Sequence, residues 1–298
     1  MSAAAFILLA LLSTLALWYA CRWYVVAHQR QPSAPHMPGF GDTATGFVTN
    51  FFDTLGIGSF APTTAIFKFR RRMPDEEIPG TLNIGHALPT VAQALIFIAT
   101  VDVELPTLLG MISAAVLGAW LGVGVVARLP RRAIQIGMGA ALLFAAMLFL
   151  AKNLDWMPGG GNALGLEGTR LAFAIATSFV LGALMMLGVG LYAPCLILVS
   201  LLGMNPLAAF PIMMGSCAFL MPVGGARFLR TARYDLRSAL GLTLGGIPGV
   251  LVAAYIVKSL PIEWIRWLVL LIVVYAASQM LLSARREANP ARGAAANQ

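Results

Sequence analysis

The chain alternates between long apolar stretches and short polar ones. Crossing a bilayer takes about 20 consecutive apolar residues. Stretches of that length lie at 3–26, 80–100, 105–127, 132–151, 206–224, 238–257 and 262–283. Two more, 41–69 and 171–201, are too long for one crossing and are broken in the middle by glycine and proline. The polar, proline-rich stretch 27–40 reads as a linker, 153–168 as a glycine-rich loop, and the tail from Arg285 as disordered. The first apolar run has no basic residue ahead of it, and Trp18 and Tyr19 are too bulky for a cleavage site at Ala20–Cys21. It therefore reads as a retained span, not a leader. The pattern predicts an all-α polytopic membrane protein.

The pattern also repeats. LGIGSFAPT at 55–63 matches LGVGLYAPC at 187–195, sharing Leu, two Gly, Ala and Pro. At nearly the same offset, LGMISAAVLGAWLGVGVVARLP at 109–130 matches LGLTLGGIPGVLVAAYIVKSLP at 240–261, with Gly110/Gly241, Gly118/Gly249 and Pro130/Pro261 identical. Two blocks in register point to duplication. The chain then divides into an N-terminal span and linker (1–40), a first repeat (41–153), a second repeat (154–284) and a tail (285–298). Each repeat is a broken, re-entrant helical hairpin followed by three transmembrane helices.

Charge sets the orientation. If both broken segments enter and leave on one side, only Lys152, Arg170, Lys258 and Arg266 of the 20 Lys and Arg fall outside. Full crossings would move Lys152 and the Arg227–Arg237 cluster outside together, against the positive-inside bias. The hairpin topology makes the two repeats inverted, and inverted repeats with discontinuous helices are a signature of secondary transporters.

Composition agrees. Hydrophobic residues make up 59% of the chain and charged ones 11%, against about 25% charge in soluble domains. That leaves too little polar surface for a water-soluble fold. The net charge of +8 belongs to the loops between spans and argues for no nucleic-acid partner. Cys21, Cys195 and Cys217 have neither metal-site nor disulfide spacing, and no nucleophile–base pair, carboxylate pair or metal motif appears. No cofactor, no metal and no enzyme activity are expected.

The candidate chemistry sits at the breaks. Gly56 and Gly58 let the backbone turn, and Pro62 suits the first turn of a new half-helix. Free N–H groups there favour an anion, with hydroxyls from Ser59, Thr63 and Thr64. The matching positions in the second repeat are Gly188, Gly190, Tyr192, Pro194 and Cys195. Alternatively, the glycines and prolines serve close helix packing. Asp53 is an acid inside an apolar segment, where a carboxylate is costly and functional by default. It suits proton coupling; near the interface it could instead cap a half-helix. Its repeat counterpart is Met185. Asn83, His86 and Gln93 form a polar stripe at spacings of three and seven, suited to substrate, to proton relay or to interhelical hydrogen bonds.

At Leu55-Gly56-Ile57-Gly58 with Pro62, and Leu187-Gly188-Val189-Gly190 with Pro194, the sequence resembles the TauE/SafE family of membrane permeases, often called sulfite exporters. That family has duplicated halves, each opening on a Gly-x-Gly-rich stretch that leads to a proline. The resemblance covers about 45–285. The family's further glycines are replaced here by Ser59-Phe60 and Leu191-Tyr192, and an extra N-terminal span is present. The resemblance implies export of sulfite or a related organosulfonate, whereas the residues alone imply a secondary transporter for a small anion. The expected donors are Ser59, Thr63, Thr64, Asn83, His86, Tyr192 and Cys195, with Asp53 carrying a proton. The expected setting is the cell inner membrane, with a lipid bilayer as neighbour and a homodimer open. The rivals are an uncoupled channel or facilitator, and a membrane assembly subunit without substrate.

Overall fold

A computed structural model describes residues 3–30, 37–126, 128–156, 161–188, 190–231, 233–255, 270, 274–275, 277–278 and 280–285. Most of the span expected at 262–283, with Lys258 and Arg266, lies outside the described residues, as does the tail after Arg285. The described residues form α-helices in this order: α1 (Ala3–Arg30), α2 (Phe40–Thr54), α3 (Phe60–Phe69), α4 (Ile78–Gly85), α5 (Ala87–Thr100), α6 (Leu105–Val126), α7 (Arg131–Asn153), α8 (Gly168–Met185), α9 (Tyr192–Leu201), α10 (Ala209–Thr231) and α11 (Leu236–Tyr255). A short 3-10 turn precedes α4 at Asp75–Glu77, and another precedes α10 at Pro206–Ala208. Among the described residues, seven helical stretches are long and apolar enough to cross a membrane. The outward faces are apolar as well: on α1, Phe6, Ile7, Leu11, Leu17 and Tyr24 are exposed, as a lipid-facing wall requires.

Both expected breaks are present. Segment 41–69 divides into α2 and α3, and 171–201 into α8 and α9. After α3 the chain returns to where α2 began. There Arg72 donates through Nε and Nη2 to the two carboxylate oxygens of Asp42, at 3.0 and 2.7 Å. Those bonds push the Arg72 guanidinium further up from its ordinary value, so it stays charged. After α9 the chain likewise returns to the stretch before α8, where Gly161 N–H donates to Met204 O and Asn205 N–H to Ala163 O.

Small residues let helices distant in sequence pack closely. Gly241, Gly245 and Gly249 of α11 press against the backbone of α2, with no room for a methyl group. Gly118 and Gly122 of α6 and Gly182 of α8 do the same between those two helices. So α2 packs on α11, and α8 on α6. Helix α10 lies at the centre, against α1, α4, α5, α6 and α9.

The span expected at 80–100 is present within Asp75–Thr100, with a one-residue irregularity at His86 between α4 and α5. Pro89 has no N–H to offer the Gly85 carbonyl four residues earlier. The Thr243 hydroxyl of α11 donates to that carbonyl instead, at 2.7 Å. Thr243→Val should leave a buried carbonyl unsatisfied, at a cost of about 1–3 kcal/mol. Thermal unfolding of the variant in detergent checks this, and an unchanged midpoint would count against the pairing.

Candidate functional site

Each break is a glycine-capped helix end facing a new helix start. In the first, Gly56 adopts φ +85°, its N–H donates to Asp53 O, and Ile57 N–H donates to Phe52 O. This is a Schellman cap, which asks for a left-handed residue at that position. Gly58, at φ +92°, turns the chain again, and α3 begins with Pro62 in its first turn. In the second break, Gly188 adopts φ +93° and its N–H donates to Met185 O.

The two breaks meet. A methyl group on Gly58 would lie 3.9 Å from Tyr192 Cβ, and one on Gly190 would lie 3.9 Å from Phe60 Cβ. Gly58 aligns with Gly190 and Phe60 with Tyr192 in the matching stretches 55–63 and 187–195, so the contact is reciprocal. Between the tips is a cavity of about 10 Å3, lined by Asp53, Gly58, Ser59, Phe60, Thr90, Met185, Gly190, Leu191, Tyr192, Cys217 and Met221. That is room for about one water molecule. Its walls are buried, with Asp53 at 2% and Tyr192 at 4% exposure.

The walls differ in chemistry. Helices α2, α3 and α5 supply most of the polar groups. Gln93 Nε2 donates to Asp53 Oδ2 at 2.8 Å and to Thr54 Oγ1 at 3.0 Å. The Ser59 backbone N–H and hydroxyl also face the Asp53 carboxyl, as does the Tyr192 hydroxyl. Tyr192 donates in turn to Gln93 Oε1 at 2.6 Å. Asp53 thus occupies the N-terminal end of α3, where an anion is favoured. The second half offers mainly sulfur and hydrocarbon, from Met185, Leu191, Cys217 and Met221. Met185 stands in the repeat position of Asp53, and its sulfur accepts from Cys217 Sγ at 3.5 Å.

Of the residues expected from the sequence, Asp53, Gly58, Ser59, Gly190 and Tyr192 line the cavity. Gly56, Pro62, Gly188 and Pro194 shape the helix ends around it. His86 and Thr63 form a layer behind, with Thr63 Oγ1 3.1 Å from His86 Nε2. The other ring nitrogen of His86 lies 3.0 Å from Asn50 Nδ2 and 3.2 Å from Asn50 Oδ1, and its ring is 5.8 Å from that of Phe60. Asn83 points elsewhere, donating to Pro79 O at 2.9 Å and reaching Met185 O at 3.4 Å. Thr64 and Cys195 are buried away from the cavity lining.

Gln93 belonged to the polar stripe but was not counted among the donors, and it proves to be the hinge of the network. Asn50 and Thr54, the other two missed, lie three residues before and one residue after Asp53. Their helical spacing on α2 was the available signal.

The family model described as "Sulfite exporter TauE/SafE" matches residues 1–149 and 171–297. The chain belongs to the TauE/SafE family. It is therefore a membrane transporter of a sulfite exporter family and not an enzyme. No curated protein and no solved structure matches it.

Proposed function

We propose that this TauE/SafE protein is a secondary transporter of the cell inner membrane that exports sulfite or a related organosulfonate together with a proton. The observation that carries the reading is the reciprocal meeting of the two glycine-capped tips over Asp53. Ser59 and Gln93 direct their donors at the Asp53 carboxylate, with Gln93 held in place by the Tyr192 hydroxyl that donates to its Oε1, and an incoming anion would compete for the same donors. Protonation of Asp53 releases them. Anion and proton therefore bind together, and outward flux follows a proton gradient directed outward.

The repeats, 41–153 and 154–284, give alternating access in this reading by rocking against each other. Support for their inversion comes from α6. It starts beside the second broken segment, where Thr107 Oγ1 accepts from Leu166 N–H at 2.8 Å. It ends near the opening of the first, where Gln135 of the following helix α7 donates to Asp75 Oδ2 at 2.8 Å and Lys68 of α3 donates to Asp75 Oδ1 at 2.7 Å. The two broken segments thus open at opposite ends of one membrane-length helix.

Purified protein in liposomes loaded with sulfite tests the reading. Release above that of protein-free vesicles should rise when the interior is made acid. Small sulfonates should compete with it, and sugars and amino acids should not. Release indifferent to the gradient would make the protein a facilitator. Tyr192→Phe removes one donor near the carboxylate and should slow release about tenfold, equivalent to roughly 1.4 kcal/mol. Equal rates at equal protein density would take Tyr192 out of the site.

A further inference from the structure

A second feature lies far from the tips, between α1 and the end of α10. A groove of about 560 Å3 is lined by Trp18, Cys21, Arg22, Val25, Val26, Gln29 and Arg230. From this geometry we infer that the groove is a binding site for one anionic phospholipid, with its phosphate between Arg22 and Arg230 and an acyl chain running inward along Trp18.

Depth is the first argument. Arg22 lies 19 residues along α1 from Ala3, which at 1.5 Å per residue is about 28 Å. The hydrocarbon core of a bilayer is about 30 Å thick, so Arg22 reaches the headgroup level. Arg230, in the last turn of α10, comes to the same groove.

The lining is the second. Two guanidiniums share the groove with apolar side chains, and the Arg22 guanidinium lies 5.9 Å from the centre of the Trp18 ring. Trp18 is 48% exposed and Val25 47%, so the apolar wall faces lipid. A free inorganic anion would use the guanidiniums and leave that wall bare. A phospholipid uses both, as basic pockets between membrane helices do. Guanidinium also suits phosphate geometrically, because it can offer two parallel N–H groups to two oxygens.

Neither arginine touches the cavity at the tips, so the site stands or falls separately from the transport reading. Native mass spectrometry of the full chain in detergent, offered equal amounts of phosphatidylglycerol and phosphatidylcholine, tests it. The wild-type chain should retain phosphatidylglycerol preferentially. Arg22→Gln with Arg230→Gln should weaken that retention about 30-fold, from the loss of two charges near the surface. Val25→Trp, which fills the groove and keeps both arginines, should weaken it as well. Arg128→Gln, an exposed arginine outside the groove lining, should not. Equal retention by wild type and the double variant would overturn the site, as would equal retention of the two lipids. Displacement of phosphatidylglycerol by inorganic phosphate alone would also overturn it, in favour of a free-anion site.

Discussion

Asp53→Asn is expected to abolish proton-driven release of sulfite from liposomes while leaving sulfite binding intact. The substitution preserves volume and leaves an acceptor oxygen for Ser59 and Gln93, so the tips should still meet. It removes the one carboxyl group among the described residues that line the cavity. With no carboxylate competing for the donors, the anion should bind irrespective of pH. Sulfite-dependent thermal stabilisation should therefore persist, and its pH dependence should flatten. Exchange of internal for external sulfite needs no net proton movement and should survive too. If net release by the variant equals that of wild type at every pH, Asp53 has no part in coupling. If binding is lost together with flux, the carboxylate holds the tips together and the coupling argument fails.

Much of this site was legible in the sequence because its main constraint is local. Gly56, Gly58 and Gly188 stand where the backbone takes positive φ, and such positions favour glycine whatever surrounds them. Asp53 was legible because a carboxylate within an apolar run is rare enough to need a reason. What stayed hidden depends on contacts between distant positions. Gln93 lies 40 residues from Asp53 along the chain, and its place in a polar stripe could not say which neighbour it would meet. The irregularity at His86 depends on Pro89 and on Thr243, which lies on another helix. Membrane helices often carry proline without ending, because neighbours re-satisfy the freed carbonyl. Thr63 and Thr64 show the limit of reading a short helix. Adjacent residues point about 100° apart, so only Thr63 reaches His86, while the Thr64 hydroxyl is buried without a partner.

Substituting Gly245 should have a large effect on folding. A methyl group there would run into the Thr43 carbonyl of α2 and lie 2.9 Å from Phe47 N. Both are backbone atoms, which cannot turn aside as a side chain can. Gly245→Ala should therefore cost about 3 kcal/mol, at the upper end for overpacking. Gly245→Leu should leave no monodisperse protein in detergent. Gly137→Ala is the control. Its added methyl would meet only Leu187 methyls at 3.6 and 3.7 Å, and alanine is favoured over glycine within a helix by about 1 kcal/mol. Its unfolding midpoint should hold or rise; equal midpoints for the two alanine variants would sink the close-packing argument. The consequence reaches the cavity. The adjacent Gly246 is wedged so that a methyl group would lie 2.6 Å from Pro89 Cγ and 3.0 Å from Asn50 Cγ. Close approach of α11 therefore holds Asn50 near His86 and brings Thr243 to the carbonyl that Pro89 leaves free. Whatever Gly245→Ala protein does fold should have a displaced α2. Its sulfite release per folded molecule should fall, although the substituted residue touches neither tip.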